Sequence, residues 1–191
     1  MKSTSAKLAT VNTETGEIVK TTPRHGFPVV IENGIKLIGG IRQWRADCKA
    51  GVFRIGENDV RGNSLRMELI GGQCVECEIL TYPRQMWWEL LFVDSDGMVA
   101  SLLFKGQSIR NFEECLRVAV GKEIRPEAII LTAQMSKRTG KDGAYYALEF
   151  SFTENAPERV QQISDFAASN AMPSRLRELI AAAEKQSVPT I

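Results

Sequence analysis

The sequence lacks the features that mark membrane, secreted and disulfide-bonded proteins. No stretch approaches the roughly 20 consecutive apolar residues that span a bilayer, and residues 1–22 lack the apolar segment of a secretory signal. Four cysteines in a chain of 191 residues do not form the dense pattern of a disulfide framework. The sequence therefore predicts a cytoplasmic protein with reduced thiols and no membrane partner.

The residues that build common active sites are also scarce. The chain has one histidine, His25, whereas a structural zinc needs four ligands and a hydrolytic triad needs a histidine in the core. Cys74 and Cys77 have metal-like spacing but lie within a predicted strand, where small apolar packing is the simpler interpretation. Gly39-Gly40 and Gly71-Gly72 lack the lysine of a phosphate-binding loop. We predict no enzyme, no cofactor and no metal.

Composition indicates one globular domain with appendages. Hydrophobic residues make up 43% of the chain and charged residues 25%, which are ordinary values for a folded domain. The formal net charge of +1 gives no bulk attraction to phosphate, so any nucleic-acid interface must depend on local clusters of cations.

Both ends of the chain differ from its middle. Residues 1–26 are rich in Ser, Thr and Lys and are predicted to be a flexible leader. Residues 27–63 form an N-terminal extension, with a hairpin at Asn33-Gly34 and a short strand at Val52 to Ile55. Residues 154–191 are predicted to be a helical extension, with helices from Glu158 to Ser169 and from Ser174 to Lys185.

The middle of the chain, residues 64–153, alternates like a β domain. Apolar residues recur at every second position, and the glycine pair Gly71-Gly72 predicts a bend within the first strand. The predicted elements are a long strand from Ser64 to Ile79, strands from Met86 to Val93 and from Met98 to Phe104, a helix from Ser108 to Gly121, and strands from Ala128 to Met135 and from Ala144 to Phe152.

That order of elements is the order of an OB-fold, in which a long bent first strand pairs with both halves of the barrel. By topology rather than by a specific motif, residues 64–152 resemble the OB-fold single-stranded DNA-binding proteins, in particular the accessory versions from phages, plasmids and cyanobacteria. The expected fold is mainly β, a five-stranded OB-type barrel with flanking α-helices. Unlike many bacterial single-strand binders, the chain ends without an acidic tail.

Strand alternation divides the aromatic residues between two faces. If Trp88 and Tyr146 point into the core, Trp87 and Tyr145 point outward and could stack on bases. The predicted phosphate contacts lie in the two flanking loops and are Arg84, Lys137, Arg138 and Lys141. Alternatively, Trp87 packs under the N-terminal extension, and the cations from Lys137 to Lys141 are ordinary solvated turn residues.

Two further clusters are assigned to structure rather than function. Trp44, between Arg42 and Arg45, is expected to serve a core, and Asp94 and Asp96 are expected to shape a tight turn.

These observations favour non-enzymatic binding of single-stranded nucleic acid, DNA in preference to RNA, with little sequence preference. Replication or recombination proteins are further candidate partners, and the terminal helices are compatible with a homo-oligomer. The alternative is a protein-interaction module of a replication, conjugation or phage complex, which the near-zero net charge fits better.

Overall fold

The computed structural model describes residues 18–21, 29–79, 82–141, 143–170 and 172, and this part of the chain is mainly β with flanking helices. Its strands are β1 Ile18–Thr21, β2 Val29–Glu32, β3 Ile35–Ile38, β4 Arg42–Asp47, β5 Val52–Ile55, β6 Asp59–Val60, β7 Ser64–Ile79, β8 Tyr82–Val93, β9 Val99–Lys105, β10 Ile129–Gly140 and β11 Gly143–Glu154. The helices are α1 Gln107–Gly121 and α2 Pro157–Ser169, and a short 3-10 helix covers Pro126–Ala128. No helix in these ranges is long and apolar enough to cross a membrane.

A small antiparallel sheet, ordered β1-β2-β3, lies at the N-terminus. Asn33 and Gly34 connect β2 to β3 with φ angles of 50° and 73°, the tight turn that the sequence predicts. β1 lies inside the segment predicted to be a flexible leader, so that prediction is wrong for Ile18–Thr21. The second predicted C-terminal helix, from Ser174 to Lys185, lies outside the described residues.

The main sheet has eight strands in the order β11-β10-β7-β8-β9-β4-β5-β6. All five strands predicted between residues 64 and 153 are present, and α1 separates the third from the fourth. The predicted bend in β7 is also confirmed, because the register against β8 shifts between Leu69 and Gly71.

The expectation of a five-stranded closed barrel is not met. In the described residues, β9 pairs in parallel with β4, from Arg42 opposite Ala100 to Arg45 opposite Leu103. β4 thus occupies the edge of β9 that a closed five-stranded barrel would give to its last strand, and β5 and β6 extend the sheet beyond it. The N-terminal extension therefore enlarges the sheet, which stays open.

Helix α1 covers one face of the sheet, which we call the inner face. Phe112 packs edge-on against Trp88, with ring centroids 5.0 Å apart, and against Phe104 at 5.5 Å. Trp88 is therefore directed toward the core as predicted. We call the opposite face, which carries Trp87 and Leu103, the outer face.

The start of α1 also protects the edge of β11. The cap position is Gly106, two residues before the predicted start of the helix, and the Ser108 hydroxyl accepts a hydrogen bond from the Leu148 backbone N–H at 3.0 Å. The Asn111 side chain donates to the Leu148 carbonyl at 2.7 Å. Polar groups that an edge strand would otherwise expose are therefore satisfied within the molecule.

A second core joins the small sheet to the main sheet. Val93 and Val99, at the turn between β8 and β9, pack with residues from β3 and from α2. The other buried members of this cluster are Ile35, Leu37, Ile163 and Phe166.

The turn between β8 and β9 is organised by Asp94, whose side chain is fully buried. One carboxylate oxygen, Oδ1, accepts the backbone N–H groups of Asp96 and Met98 at 2.9 and 3.0 Å. The other, Oδ2, accepts Arg42 Nη1 at 2.9 Å and Trp44 Nε1 at 3.2 Å. The predicted turn role of Asp94 is confirmed, and the same carboxylate also holds β4 beside β9.

We expect Asp94→Ala to destabilise the protein strongly, by about 3 kcal/mol, because it leaves the partly buried Arg42 cation and the buried Trp44 N–H without their shared acceptor. Asp96→Ala is the matched control, since Asp96 also pairs with Arg42 but is half-exposed; its loss should cost about 1 kcal/mol or less. Urea unfolding followed by tryptophan fluorescence measures both. Equal effects of the two substitutions would contradict the anchoring role of Asp94.

Candidate nucleic-acid interface

An aromatic and cationic cluster lies on the outer face at the turn between β7 and β8. The Tyr82 and Trp87 rings meet edge to face with centroids 5.5 Å apart. Lys105 of β9, directly opposite Trp87 in register, places its Nζ 3.1 Å from the Tyr82 centroid and 5.1 Å from the Trp87 centroid. Burial lowers the pKa of Lys105, and the nearby Cys48 opposes that shift. The cluster therefore combines a stacking ring with a cation.

The accessible ring of this cluster is Tyr82 rather than Trp87. Trp87 lies on the outer face as predicted, but it is only 5% exposed and packs with Cys77 and Ile79. Tyr82 is 41% exposed. Trp87 is therefore packed, but against β7 and β9 and not under the N-terminal extension, and it serves as the support against which Tyr82 is held.

Two arginines extend the positive charge along this face, and a third, Arg84, lies on the other face. Arg45 of β4 lies opposite Leu103 of β9, is exposed, and makes no ion pair within the described ranges. Arg54 of β5 is opposite Arg45 but is paired with Asp47 at 3.1 Å. Arg84, a predicted phosphate contact, is 72% exposed but lies 3.8 Å from a carboxylate oxygen of Glu76. Glu76 is opposite Met86 in register, so Arg84 belongs to the inner face with Trp88. On the outer face, Arg45 therefore remains accessible to an anion.

The β10–β11 hairpin divides its predicted site residues between the two faces. Tyr145 is 39% exposed and lies directly opposite Arg138, so these two share the outer face. Arg138 is paired with the Glu149 carboxylate. Lys137 lies opposite Tyr146 and belongs to the inner face, although its side chain is exposed, and Lys141 is exposed in the turn.

The turn between β4 and β5 bridges the two halves of this surface. The Tyr146 backbone N–H donates to the Cys48 carbonyl at 2.8 Å, and Cys48 is close enough to Lys105 for each to shift the other's pKa. Gly51 has a φ angle of 71°, and a Cβ atom there would meet the Tyr146 ring at 2.6 Å. The close approach of turn and ring therefore requires glycine.

Asp47 shapes the bridging turn. Its Oδ1 accepts the backbone N–H of Ala50 at 3.0 Å and of Lys49 at 3.2 Å, and its Oδ2 accepts Arg54 Nε at 3.1 Å. The hydrogen bond from Ala50 is the main cause that lowers the pKa of Asp47 below its ordinary value of 3.8.

The structure separates the two cysteines that have metal-like spacing. Cys74 lies opposite Trp88 and Cys77 lies opposite Gln85, which puts the two thiols on different faces of β7. Across the described ranges, no group of three or more His, Cys, Asp or Glu side chains could hold a metal ion.

Comparisons with protein-family models, with curated proteins and with solved structures found no match. The fold and the candidate interface therefore define the class of this protein, a mainly β protein with an open eight-stranded sheet and an aromatic and cationic outer face.

The sequence predictions did not include Tyr82, Lys105 or Arg45 among the site residues. Tyr82 lies before the predicted second strand, which starts at Met86, whereas β8 starts at Tyr82 and includes Pro83, because proline is compatible with the exposed end of a hairpin. Lys105 directly follows the predicted third strand, and extending that strand by one residue would have placed it beside Trp87. Arg45 could not be found, because the pairing of β4 with β9 is not visible in the sequence.

Because folding lowers the pKa of Asp47, its contribution to stability is present above the unfolded value, near 3.8, and is lost as the pH falls through the folded value. We expect Asp47→Asn to lower the free energy of unfolding at about pH 6, and this difference from the native protein to shrink toward about pH 3. Chemical denaturation at both pH values measures it. A difference that is independent of pH would contradict the hydrogen-bonded carboxylate.

Burial raises the pKa of the Cys115 thiol to about 11 and also raises the pKa of Cys77 and of Cys48. Exposure and not the pKa therefore distinguishes Cys48 from the two buried thiols. In the folded protein at neutral pH we expect both thiols to react slowly with a disulfide reagent, and the exposed Cys48 to react first. Mass spectrometry after brief labelling identifies the modified residue. Labelling of Cys115 as fast as Cys48 would show that the α1 core opens readily.

Proposed function

We propose that this protein binds single-stranded nucleic acid without catalysis, DNA in preference to RNA, and that residues 64–154 act as an OB-like module whose sheet is completed by β4. The observation that carries the proposal is the half-exposed Tyr82 ring on the outer face, held by Trp87 and flanked by Lys105 and Arg45 on the two neighbouring strands. Exposed aromatic rings beside unpaired cations are the combination that single-strand binders use.

The chemistry of each group fits this role. A base can stack on the exposed part of Tyr82, and such stacking contributes about 1–3 kcal/mol per base without sequence preference. Lys105 lies on the same ring, so its ammonium is placed to reach the phosphate of the stacked nucleotide. Arg45 is exposed on the strand beside β9 and supplies a further phosphate contact.

A path for the strand follows from the order of the elements. From Tyr82 on β8 the outer surface passes Lys105 on β9 and Arg45 on β4, and the β4–β5 turn then leads to β11 and Tyr145. Lys105, the Cys48 carbonyl group and the Tyr146 backbone N–H connect the two ends of this path. Two stacking rings with cations between them suit a short single strand better than a duplex.

The alternative is a protein-interaction module that would use the C-terminal helices or an exposed strand edge. The two edges of the main sheet offer little room for an added strand. The β11 edge is occupied by Ser108, Asn111 and Cys48, which leaves little for an added strand. At the other end of the sheet, β6 has two residues. A partner would have to use the C-terminal region instead.

The proposal is tested by fluorescence anisotropy of a labelled thymine oligodeoxynucleotide, titrated at low and at high salt. We expect Tyr82→Ala to weaken binding about tenfold or more, since it removes one stacked base. Arg45→Gln should weaken binding and lower the slope of log K against log salt by about 0.7, the value for one lost phosphate contact on a single strand. A uridine oligonucleotide of the same length tests the preference for DNA.

Arg110→Gln is the matched control, because Arg110 is an exposed arginine on α1, away from the outer face. It should leave both the affinity and the salt slope unchanged. No binding of either oligonucleotide at low salt would refute the proposal. If the Arg45 and Arg110 substitutions weaken binding equally, the protein attracts nucleic acid nonspecifically and the outer face is not the binding site.

A further inference from the structure

A cavity lies between α1 and the inner face, where β7 bends. It encloses about 200 Å³ and is partly open to solvent. Its walls are Leu69, Leu90, Trp88, Phe112 and Leu116, and Pro126 and Glu127 of the short 3-10 helix lie at its edge. Because Trp88 and Trp87 point to opposite faces of β8, the cavity is separate from the outer surface assigned to nucleic acid.

The bend of β7 leaves this space open. Gly71 and Gly72 line the cavity, and nothing lies within 4 Å of where a Cβ atom of Gly71 would be. A Cβ at Gly72 would come within 3.0 Å of Leu90, of the Trp88 ring and of the Glu89 carbonyl. Because Gly71 and Gly72 have no side chains, they leave the cavity unfilled and allow the β7 backbone to lie close to Trp88.

The size of the cavity limits what it can hold. An apolar cavity of about 150 Å³ stays dry and takes up benzene, so a similar space lined by leucine and aromatic side chains accepts one ring or a short hydrocarbon chain. The two aromatic rings, with centroids 5.0 Å apart in an edge-to-face arrangement, present both an edge and a face to such a guest.

The charges around the cavity select among such molecules. Within the described lining, Glu127 is the one charged side chain, and it is exposed at the edge. A second carboxylate, Glu113 of α1, is near Cys74, which lies opposite Trp88 in register. Both carboxylates attract a cation and repel an anion, and aromatic faces also attract cations.

We propose that this cavity is a binding site for a small amphiphilic amine, one aromatic ring or a comparable hydrocarbon group with a single positive charge. The ring enters between Trp88, Phe112 and Leu116, and the ammonium stays at the edge near Glu127. The site does not depend on nucleic-acid binding, since it uses the opposite face of the sheet.

Three probes of nearly equal shape test the proposal: 2-phenylethylamine, 2-phenylethanol and 3-phenylpropionate, which carry a positive, a zero and a negative charge. Binding to the full chain is followed by the NMR shifts of the Trp88 indole N–H and the Gly72 and Leu116 amides. We expect saturable binding in the order amine, alcohol, carboxylate. Glu127→Gln should weaken binding of the amine about two- to fivefold, toward the affinity of the alcohol, and should leave the affinity for the alcohol unchanged.

Two substitutions at Leu116 change the size of the cavity in opposite directions. Leu116→Trp should abolish binding of all three probes by filling the space. Leu116→Ala should allow the larger 1-naphthylmethylamine to bind, whereas the native protein should not bind this amine. Because the alanine variant gains binding, the test remains decisive even if the tryptophan variant does not fold. If the NMR shifts do not saturate, or if they are spread over the protein surface, the proposed site is wrong. If the amine and the carboxylate bind with equal affinity, the proposed preference for cations is wrong.

Discussion

The buried carboxylate of Asp94 is the interaction on which the rest of the structure depends. Its two oxygens accept four hydrogen bonds, two from the turn that joins β8 to β9 and two from Arg42 and Trp44 of β4. The same turn accepts the Lys36 backbone N–H through the Gly97 carbonyl at 2.8 Å, which holds β3 nearby. A buried charge is tolerated when its hydrogen bonds are complete, and here completing them requires the N-terminal strands.

This anchoring shapes the candidate interface because it places β4 in parallel beside β9. Arg45 then projects from the outer face next to Leu103, and the β4–β5 turn reaches Tyr146 of β11. The N-terminal extension thus supplies a cation to the candidate interface and connects its two aromatic residues. Residues 64–154 alone would supply Tyr82 and Tyr145 but not the surface between them.

The two faces of the main sheet have different chemistry. The outer face presents Tyr82 with exposed cations, whereas the cavity on the inner face is apolar and bordered by Glu127. Alternation along β8 separates them, since Trp87 supports the first and Trp88 lines the second. The adjacent tryptophans therefore lie in two chemically different environments. The net charge of +1 gives no indication of this difference, because it sums the charges of both faces.

The sequence by itself determined the local elements. Alternation and glycine placement predicted the strands from Ser64 to Phe152, the bend in β7, the turn at Asn33-Gly34 and the opposite directions of Trp87 and Trp88, because these depend on backbone periodicity and on conformations that glycine adopts easily. Only the tertiary structure decided which strand pairs with β9, that Trp87 is buried while Tyr82 is exposed, and that β10 extends to Gly140, so that Lys137 and Arg138 lie in a strand and not in a loop. Strand partners distant in sequence, and the burial that follows from them, result from packing and from contacts such as those of Asp94, which no local pattern encodes.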